Sequence, residues 1–283
     1  MRQRSVSSIG VVLVGLVPAI VGGVVFALVF TVLAIVAFLE LATMLKLDSP
    51  VSRWIGCGLI ALGGILALSA SGNRGLPVLV VMSVILPLAY ATFSERVSVL
   101  EEWPRIVAAA LYLALPTFAA ISIRQEPGPN DGWLDRVDAF AVPASAETGT
   151  GLGWLLLVLF TTWLSDTGAY LVGKTLGRRK LIPRISPNKT VEGAVGGIAF
   201  AALTSLLCSW MFQLNLHPVF ALLLGIVLGV VGILGDLAES AIKRHARVKD
   251  SGTLIPGHGG MLDRIDALLL TLVTTWLLIP VLA

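Results

Sequence analysis

Residues 219–266 have the sequence VFALLLGIVLGVVGILGDLAESAIKRHARVKDSGTLIPGHGGMLDRID, in which an apolar run gives way to charged residues. The run Val219–Gly235 is long and apolar enough for a helix that crosses a membrane, which needs about 17–25 residues. A second apolar run, Ile265–Leu282, follows the charged part. This part of the chain is therefore predicted to form two membrane spans joined by a charged connection.

The composition extends this interpretation to the whole chain of 283 residues. Hydrophobic residues make up 56% and charged residues 13%, and the mean hydropathy is +0.91. A soluble domain carries about 25% charged residues, so that class is excluded. We predict an all-α, polytopic membrane bundle with about nine transmembrane helices. The apolar runs are Ile9–Gly22, Val24–Leu39, Ile55–Ala70, Val78–Phe93, Ile106–Ile123, Leu152–Gly173, Gly193–Phe212, Val219–Gly235 and Ile265–Leu282.

The first two runs leave two alternatives open, a hairpin that turns at Gly22 and Gly23 or one long tilted helix. Lys and Arg accumulate in cytoplasmic connections, and with a hairpin seventeen of the twenty lie inside, leaving Arg74, Arg124 and Arg136 outside. We therefore predict that the N-terminus lies in the cytoplasm and the C-terminus outside. The expected location is the cell inner (plasma) membrane.

Polar segments divide the chain into three predicted parts. Residues 1–123 form about five spans, residues 124–151 an external linker loop, and residues 152–283 a catalytic membrane region of about four spans. The cytoplasmic loops of this last region are 174–192 and 236–264. The net charge of +3 arises in loops without interleaved aromatic residues, so nucleic-acid binding is excluded.

The connection Gly235–Asp266 concentrates reactive groups in an otherwise apolar protein. It holds five carboxylates and five fixed cations, which is costly beside a membrane unless the charges meet partners. Its first half continues the preceding helix and places on one face Asp236, Glu239, Ser240 and Lys243. Its glycine-rich second half predicts a loop that approaches a ligand closely. Carboxylates suit Mg²⁺ and cations suit phosphates, so we predict a metal-and-phosphate site.

The apolar run Leu152–Gly173 carries a carboxylate, Asp166, whose spacing places it on the same helix face as Tyr170, Gly173 and Gly177. An ionisable residue inside a span indicates a functional site, and the alternative is a helix-packing Asp paired with Lys or Arg. Gly168–Thr175 also satisfies the G-x-x-x-x-G-K-[ST] phosphate-loop pattern. A long apolar helix precedes it and no strand is predicted, so we interpret this match as accidental.

The next connection, Lys174–Lys189, holds six cations and no acid. It leads into the sequence SPNKTVEG at 186–193, where Ser186 or Thr190 is predicted to begin a helix whose free amides attract phosphate. Glycines spaced for close helix packing occur in the last spans at Gly193 and Gly197 and at Gly225, Gly229 and Gly232.

The residues of the charged connection resemble the signature of the phosphatidate cytidylyltransferases, also called CDP-diacylglycerol synthases. Residues 166–173 and 186–193 resemble further blocks of that family, so the resemblance covers roughly Trp163 to the C-terminus. The matching signature residues are Ser240, Ile242, Lys243, Arg244, Lys249, Asp250, Gly252, Ile255, Pro256, His258, Gly259, Gly260, Met261, Asp263, Arg264, Ile265 and Asp266.

The resemblance implies a membrane nucleotidyltransferase that joins CTP and phosphatidate to give CDP-diacylglycerol and pyrophosphate on the cytoplasmic side. The implied catalytic residues are Asp236, Lys243, Arg244, Asp263 and Arg264. The implied substrate-binding residues are Lys189, Ser186, Lys249, His258, Gly259, Gly260 and Ser240. The implied Mg²⁺ ligands are Asp236 and Asp263, with Asp166, Glu239, Asp250 and Asp266 as further candidates. The carboxylates leave room for a second cation, and the family and the glycine faces point to a homodimer.

Two other interpretations stay open at this point. Asp166 inside a span also fits a transporter or channel, although the paired inverted repeats that favour one are not seen. A related CTP-dependent lipid kinase or cytidylyltransferase would need the same charged site. The sequence does not distinguish its lipid from phosphatidate.

Overall fold

The computed structural model describes residues 15–69, 75–95, 98–127, 133–138, 149–254 and 259–282. Residues 15–21 are helical and precede the elements named here. In chain order these are α1 (Gly23–Met44), α2 (Pro50–Leu68), α3 (Gly75–Phe93), α4 (Val99–Arg124), α5 (Trp133–Asp138), α6 (Gly149–Leu176), β1 (Lys180–Ile182), β2 (Ser186–Thr190), α7 (Val191–Met211), α8 (Pro218–His245) and α9 (Leu262–Leu282).

Eight helices among the described residues, all the named ones except α5, are long and apolar enough to cross a membrane. The chain is therefore a multi-pass membrane protein, and the predicted all-α class is confirmed. The first predicted run, Ile9–Gly22, is described only from residue 15 onward, where residues 15–21 are helical. The backbone leaves the helical conformation at Gly22, whose φ is 68°, so one uninterrupted helix over the first two runs is excluded.

Contacts divide the chain into two compact units. The N-terminal unit consists of Met1–Ser122 and Ala246–Arg264, and the C-terminal unit of Ile123–His245 and Ile265–Ala283. In the N-terminal unit α1 packs on α2 and α2 on α3. Gly56 of α2 lies directly against the buried ring of Phe38 of α1, where a side chain on the glycine would overlap the ring.

In the C-terminal unit α6 packs along α7 and α7 along α8. A Cβ on Gly197 of α7 would lie 3.0 Å from the Ser165 carbonyl oxygen, and one on Gly225 of α8 would lie 2.5 Å from that of Ala201. The predicted close packing is confirmed at Gly197 and Gly225, because their backbones approach the neighbouring helices more closely than a side chain would allow. At Gly232 the prediction is wrong, since a Cβ there would lie 3.7 Å from its nearest neighbour, Thr271, which is an ordinary contact distance.

A small antiparallel hairpin of β1 and β2 connects α6 to α7, with Lys180 opposite Thr190 and Ile182 opposite Ser186. This segment was predicted to be a loop without strands. Glu192 in the first turn of α7 fixes the entry to the hairpin, since its carboxylate accepts hydrogen bonds from the Arg178 amide at 3.0 Å and the Arg179 amide at 3.1 Å.

Candidate active site

The C-terminal unit contains an open cavity of about 460 Å³ at the end of α6 that leads into the hairpin. This volume lies within the range of roughly 300–1,000 Å³ that is usual for small-molecule sites. We call it the charged cavity. Its lining residues are Asp166, Ala169, Tyr170, Gly173, Lys174, Leu181, Asn188, Lys189, Thr190, Gly193, Ala194, Ile233 and Asp236.

Helix α6 brings Asp166, Tyr170 and Gly173 to the charged cavity, as their spacing predicts. Lys174 lies over the Tyr170 ring at 5.6 Å from its centre. Residues 168–175 are helical throughout, so they form no phosphate-binding loop. The interpretation of that motif as accidental is confirmed.

Strand β2 and the start of α7 place Lys189 in the cavity. Thr190 caps α7 with its hydroxyl oxygen, which accepts a hydrogen bond from the Gly193 amide at 3.1 Å. Of the two predicted helix starts, Thr190 is therefore confirmed, whereas Ser186 begins strand β2 and no helix. The preceding residue, Lys189, forms an ion pair with Asp236 of α8, and both side chains are partly buried, with 26% and 32% of their surface exposed.

Three aspartates of the C-terminal unit interact electrostatically in this region. Asp236 and Lys189 act on Asp166, and Asp166, Asp236 and Lys243 act on Asp266 of α9. Gly235 allows α8 to lie close to Asp266 of α9, because a Cβ at position 235 would lie 2.7 Å from the carbonyl oxygen of Asp266. Such a concentration of carboxylates is stable only beside cations, and Lys189 and Lys243 supply two.

The polar face predicted for α8 exists, and its residues contact one another. The Ser240 hydroxyl donates a hydrogen bond to Asp236 Oδ1 at 3.3 Å. The buried Glu239 pairs with Lys243 at 2.5 Å. Arg244 Nε donates to the Ile185 carbonyl oxygen at 3.2 Å, which ties the end of α8 to the hairpin.

The N-terminal unit holds the second half of the signature. Asp263 Oδ2 accepts hydrogen bonds from the Ser251 amide and the Gly260 amide, both at 2.8 Å, and it lies 2.9 Å from the Ser251 hydroxyl oxygen. In this conformation the Gly260 amide therefore donates to a protein carboxylate, whereas the sequence analysis assigned it to substrate. Gly259 has a φ of 80°, a backbone conformation that favours glycine.

The other candidates lie at the surface or outside the described residues. Lys249, Asp250 and Arg264 are exposed, and Ser186 is the half-buried first residue of β2. His258 lies outside the described residues. Asp236 belongs to the C-terminal unit and Asp263 to the N-terminal unit, and their shared binding of Mg²⁺ stays a prediction.

Sequence reasoning missed one residue of this region, Glu40. Its carboxylate accepts hydrogen bonds from the amides of Met261 and Leu262, both at 2.9 Å, and from the Ser251 hydroxyl at 2.8 Å. The predicted apolar run ends at Leu39, one residue before Glu40, whereas α1 continues to Met44. The available signal was that Glu40 is the only charged residue in an otherwise apolar span.

The carboxylates of this region fit a Mg²⁺ ion whose remaining coordination positions are filled by substrate phosphates and water. No group of three or more His, Cys, Asp or Glu side chains in the described part of the chain is arranged to hold a metal ion. Mg²⁺ is often bound by one or two carboxylates together with substrate phosphates and water. The aspartates of the C-terminal unit offer such carboxylates beside the cations that a phosphate needs.

Comparisons with known proteins cover nearly the whole chain. Residues 2–282 match the cytidylyltransferase family. A phosphatidate cytidylyltransferase of Bacillus subtilis (strain 168) is 34% identical over 284 residues, which cover 95% of this chain and 94% of that protein. One of Staphylococcus haemolyticus is 34% identical over 278 residues, or 96% of each chain. One of Staphylococcus epidermidis is 48% identical over 122 residues, 43% of this chain and 47% of that protein.

Proposed function

The chain belongs to the cytidylyltransferase family, and on that premise we propose that it is a phosphatidate cytidylyltransferase. Its substrates are CTP and phosphatidate, and its products are CDP-diacylglycerol and pyrophosphate. The relatives of that name from Bacillus and Staphylococcus support the assignment because two of them match almost end to end.

The observation that carries the proposal is the charged cavity. It opens among helices that are apolar enough to lie in a membrane, and its walls combine Asp166 and Asp236 with Lys174 and Lys189. A nucleoside triphosphate needs cations for its phosphates, and a divalent cation needs carboxylates. A site that joins a soluble nucleotide to a lipid phosphate needs both at a membrane helix bundle, as found here.

The reaction is an in-line displacement at phosphorus. A phosphate oxygen of phosphatidate forms a bond to the α-phosphorus of CTP, and the bond from that phosphorus to the oxygen bridging to the β-phosphate breaks. The electron pair leaves with pyrophosphate. A phosphate monoester is already ionised near pH 7, so no side chain has to remove a proton. The protein contributes positioning and stabilisation of charge.

Lys189 is the cation placed best for this work, since it lines the charged cavity and pairs with Asp236. In the proposed mechanism its ammonium group donates to triphosphate oxygens and stabilises the charge that moves onto pyrophosphate. Lys174 at the same cavity is a second phosphate ligand. Lys243 and Arg244 contact Glu239 and the hairpin, so we propose that they hold α8 and the hairpin in place.

The residues proposed to hold Mg²⁺ are Asp236, with Asp166 and Asp266 beside it, and Asp263 of the N-terminal unit. When bound, Mg²⁺ supplies neutralisation of the triphosphate charge and orients its oxygens. A second cation is part of the proposal because the site has more carboxylates than one Mg²⁺ uses.

We also propose that the charged cavity faces the cytoplasm of a bacterial cell, in its plasma membrane, and that the protein is a homodimer. The distribution of Lys and Arg supports the orientation. Labelling of a Lys180→Cys variant, with Cys57 and Cys208 replaced by Ser, tests it. A membrane-impermeant maleimide should label Lys180→Cys only after the cells are opened.

Light scattering in mild detergent tests the dimer and should give twice the mass of one protomer. An active monomer would contradict the dimer.

A survey of substrates tests the function itself. Purified protein in mixed micelles should convert phosphatidate and CTP to CDP-diacylglycerol, identified by mass spectrometry. It should not use diacylglycerol, which lacks the phosphate whose oxygen attacks CTP. Transfer to a different lipid phosphate, with none to phosphatidate, would keep the site and replace the substrate. Phosphorylation of a lipid alcohol by CTP would identify a kinase instead.

A further inference from the structure

Glu40 of α1 holds the second half of the signature by three hydrogen bonds within the N-terminal unit. Its Oε1 accepts from the Met261 amide at 2.9 Å, and its Oε2 accepts from the Leu262 amide at 2.9 Å and the Ser251 hydroxyl at 2.8 Å. Met261 and Leu262 lie at the beginning of α9, where backbone amides have no partner within the helix. A carboxylate is favoured there by the helix dipole as well.

The glycines of the loop leave space for this carboxylate. A Cβ on Gly252 would lie 2.6 Å from Glu40 Oε1, and one on Gly260 would overlap Oε2. Any side chain at either position would displace Glu40 or the loop. Both glycines are part of the signature, and in this structure the close approach of Glu40 leaves no room for a side chain at either position.

Ser251 connects Glu40 to Asp263. Its hydroxyl lies 2.8 Å from Glu40 Oε2 and 2.9 Å from Asp263 Oδ2, and its amide donates to Asp263 at 2.8 Å. A change at Glu40 therefore reaches Asp263 through one side chain and through the first turn of α9. The sequence separation between Glu40 and these residues exceeds two hundred positions, so the contact belongs to the folded unit.

We propose that Glu40 is a positioning residue of the cytidylyl transfer, which fixes the first turn of α9 and the carboxylate of Asp263. The catalytic part of this proposal rests on the proposed function. A lone carboxylate in an apolar helix is costly, and it is retained here because it satisfies two helix amides and a hydroxyl. The N-terminal unit thereby contributes directly to the arrangement of the signature.

The test uses the full-length protein with Glu40→Ala, the near-isosteric Glu40→Gln and the control Glu101→Gln. Glu101 is an exposed glutamate of the same unit that contacts Arg105 in its own helix at 3.7 Å. Hydrogen exchange followed by mass spectrometry measures the protection of the amides of Met261 and Leu262. The kcat and the KM for CTP are measured on the same samples, together with their melting temperatures.

In Glu40→Ala the two amides should exchange about tenfold faster or more, because each loses a charged acceptor. The kcat should fall about tenfold or more with a KM for CTP within about threefold of wild type, as expected when a group that acts in the transition state is misplaced. Glu40→Gln, which keeps one acceptor oxygen, should lie between. Glu101→Gln should match wild type in every measurement.

Wild-type exchange at Met261 and Leu262 in Glu40→Ala would overturn the proposal, as would faster exchange with an unchanged kcat. If Glu40→Ala fails to fold, Glu40→Gln decides by the same two readouts. Failure of the proposed function is distinguishable, since wild-type protein would then transfer nothing to phosphatidate. That result would remove the catalytic role of Glu40, whereas the exchange data would still decide whether it holds the segment.

Discussion

The ion pair between Lys189 and Asp236 gives the sharpest prediction about the charged cavity. Two single variants, Lys189→Met and Asp236→Asn, each break the pair with little change in volume. The double variant removes both charges. If the pair were only structural, the double variant would recover what each single variant loses. If both residues also serve the reaction, stability should recover and activity should not.

The expected magnitudes follow from the burial of the pair. Exposed pairs contribute about 0.2–1 kcal/mol, and breaking a buried pair costs about 3–5 kcal/mol. The two side chains are 26% and 32% exposed, so each single variant should lose about 1–3 kcal/mol of unfolding free energy. Lys189→Met should be the worse of the two, because it leaves both Asp166 and Asp236 with less compensating charge. The coupling between the two changes should be about 1–2 kcal/mol.

Unfolding in detergent and CMP transfer from CTP measure the two effects on the same protein. All three variants should lose about 100-fold or more in kcat/KM, as when a group that stabilises transition-state charge is removed. The double variant should be more stable than Lys189→Met. If the double variant regained most of its activity, both residues would have only a structural role, because neither charge would then be required by the substrate or the metal.

Three further predictions concern the framework of the site. Gly225→Ala should destabilise the protein by about 1–3 kcal/mol in detergent unfolding, because its Cβ would lie 2.5 Å from the Ala201 carbonyl oxygen. The control Gly232→Ala should be neutral or slightly stabilising, because its Cβ would lie 3.7 Å from its nearest neighbour. Thr190→Ala should cost about 1 kcal/mol by loss of the α7 cap, and Thr190→Ser should restore it; equal melting temperatures would contradict the cap. Gly259→Ala should lower kcat, because Gly259 combines a φ of 80° with a close approach to Asp263. The control Gly58→Ala should leave kcat unchanged, because a Cβ there meets no atom within 4 Å. Wild-type kinetics for both variants would show that the loop tolerates the change.

Local sequence patterns were sufficient for the helices and for much of the charged cavity. Apolar runs of span length predicted the membrane helices, and the spacing of Asp166, Tyr170 and Gly173 predicted a shared face that the cavity confirms. The close approach at Gly225 was predicted from glycine spacing in the same way. Each of these features depends on residues within one or two helical turns, where side-chain direction follows from helix geometry.

These local patterns could not predict contacts between segments that are distant in the sequence. The hairpin of β1 and β2 is short, rich in cations and without alternating apolar residues, so nothing distinguished it from a loop. Glu40 meets Met261 and Leu262 only through the folding of the N-terminal unit. Similarly, the ion pair between Lys189 and Asp236 joins a strand to a helix. The residue types indicated a phosphate site, but they did not indicate that Asp236 is the partner of Lys189.

The decisive assay of the proposed function is the transfer of labelled CMP from CTP to phosphatidate by the purified protein in mixed micelles with Mg²⁺. The products should be CDP-diacylglycerol and pyrophosphate in equal amounts. Both should be lost with excess EDTA and recovered when Mg²⁺ is restored, and both should be lost in folded Asp236→Asn and Asp263→Asn. Wild-type protein that is folded and supplied with Mg²⁺ but transfers no CMP to phosphatidate would contradict the proposed function.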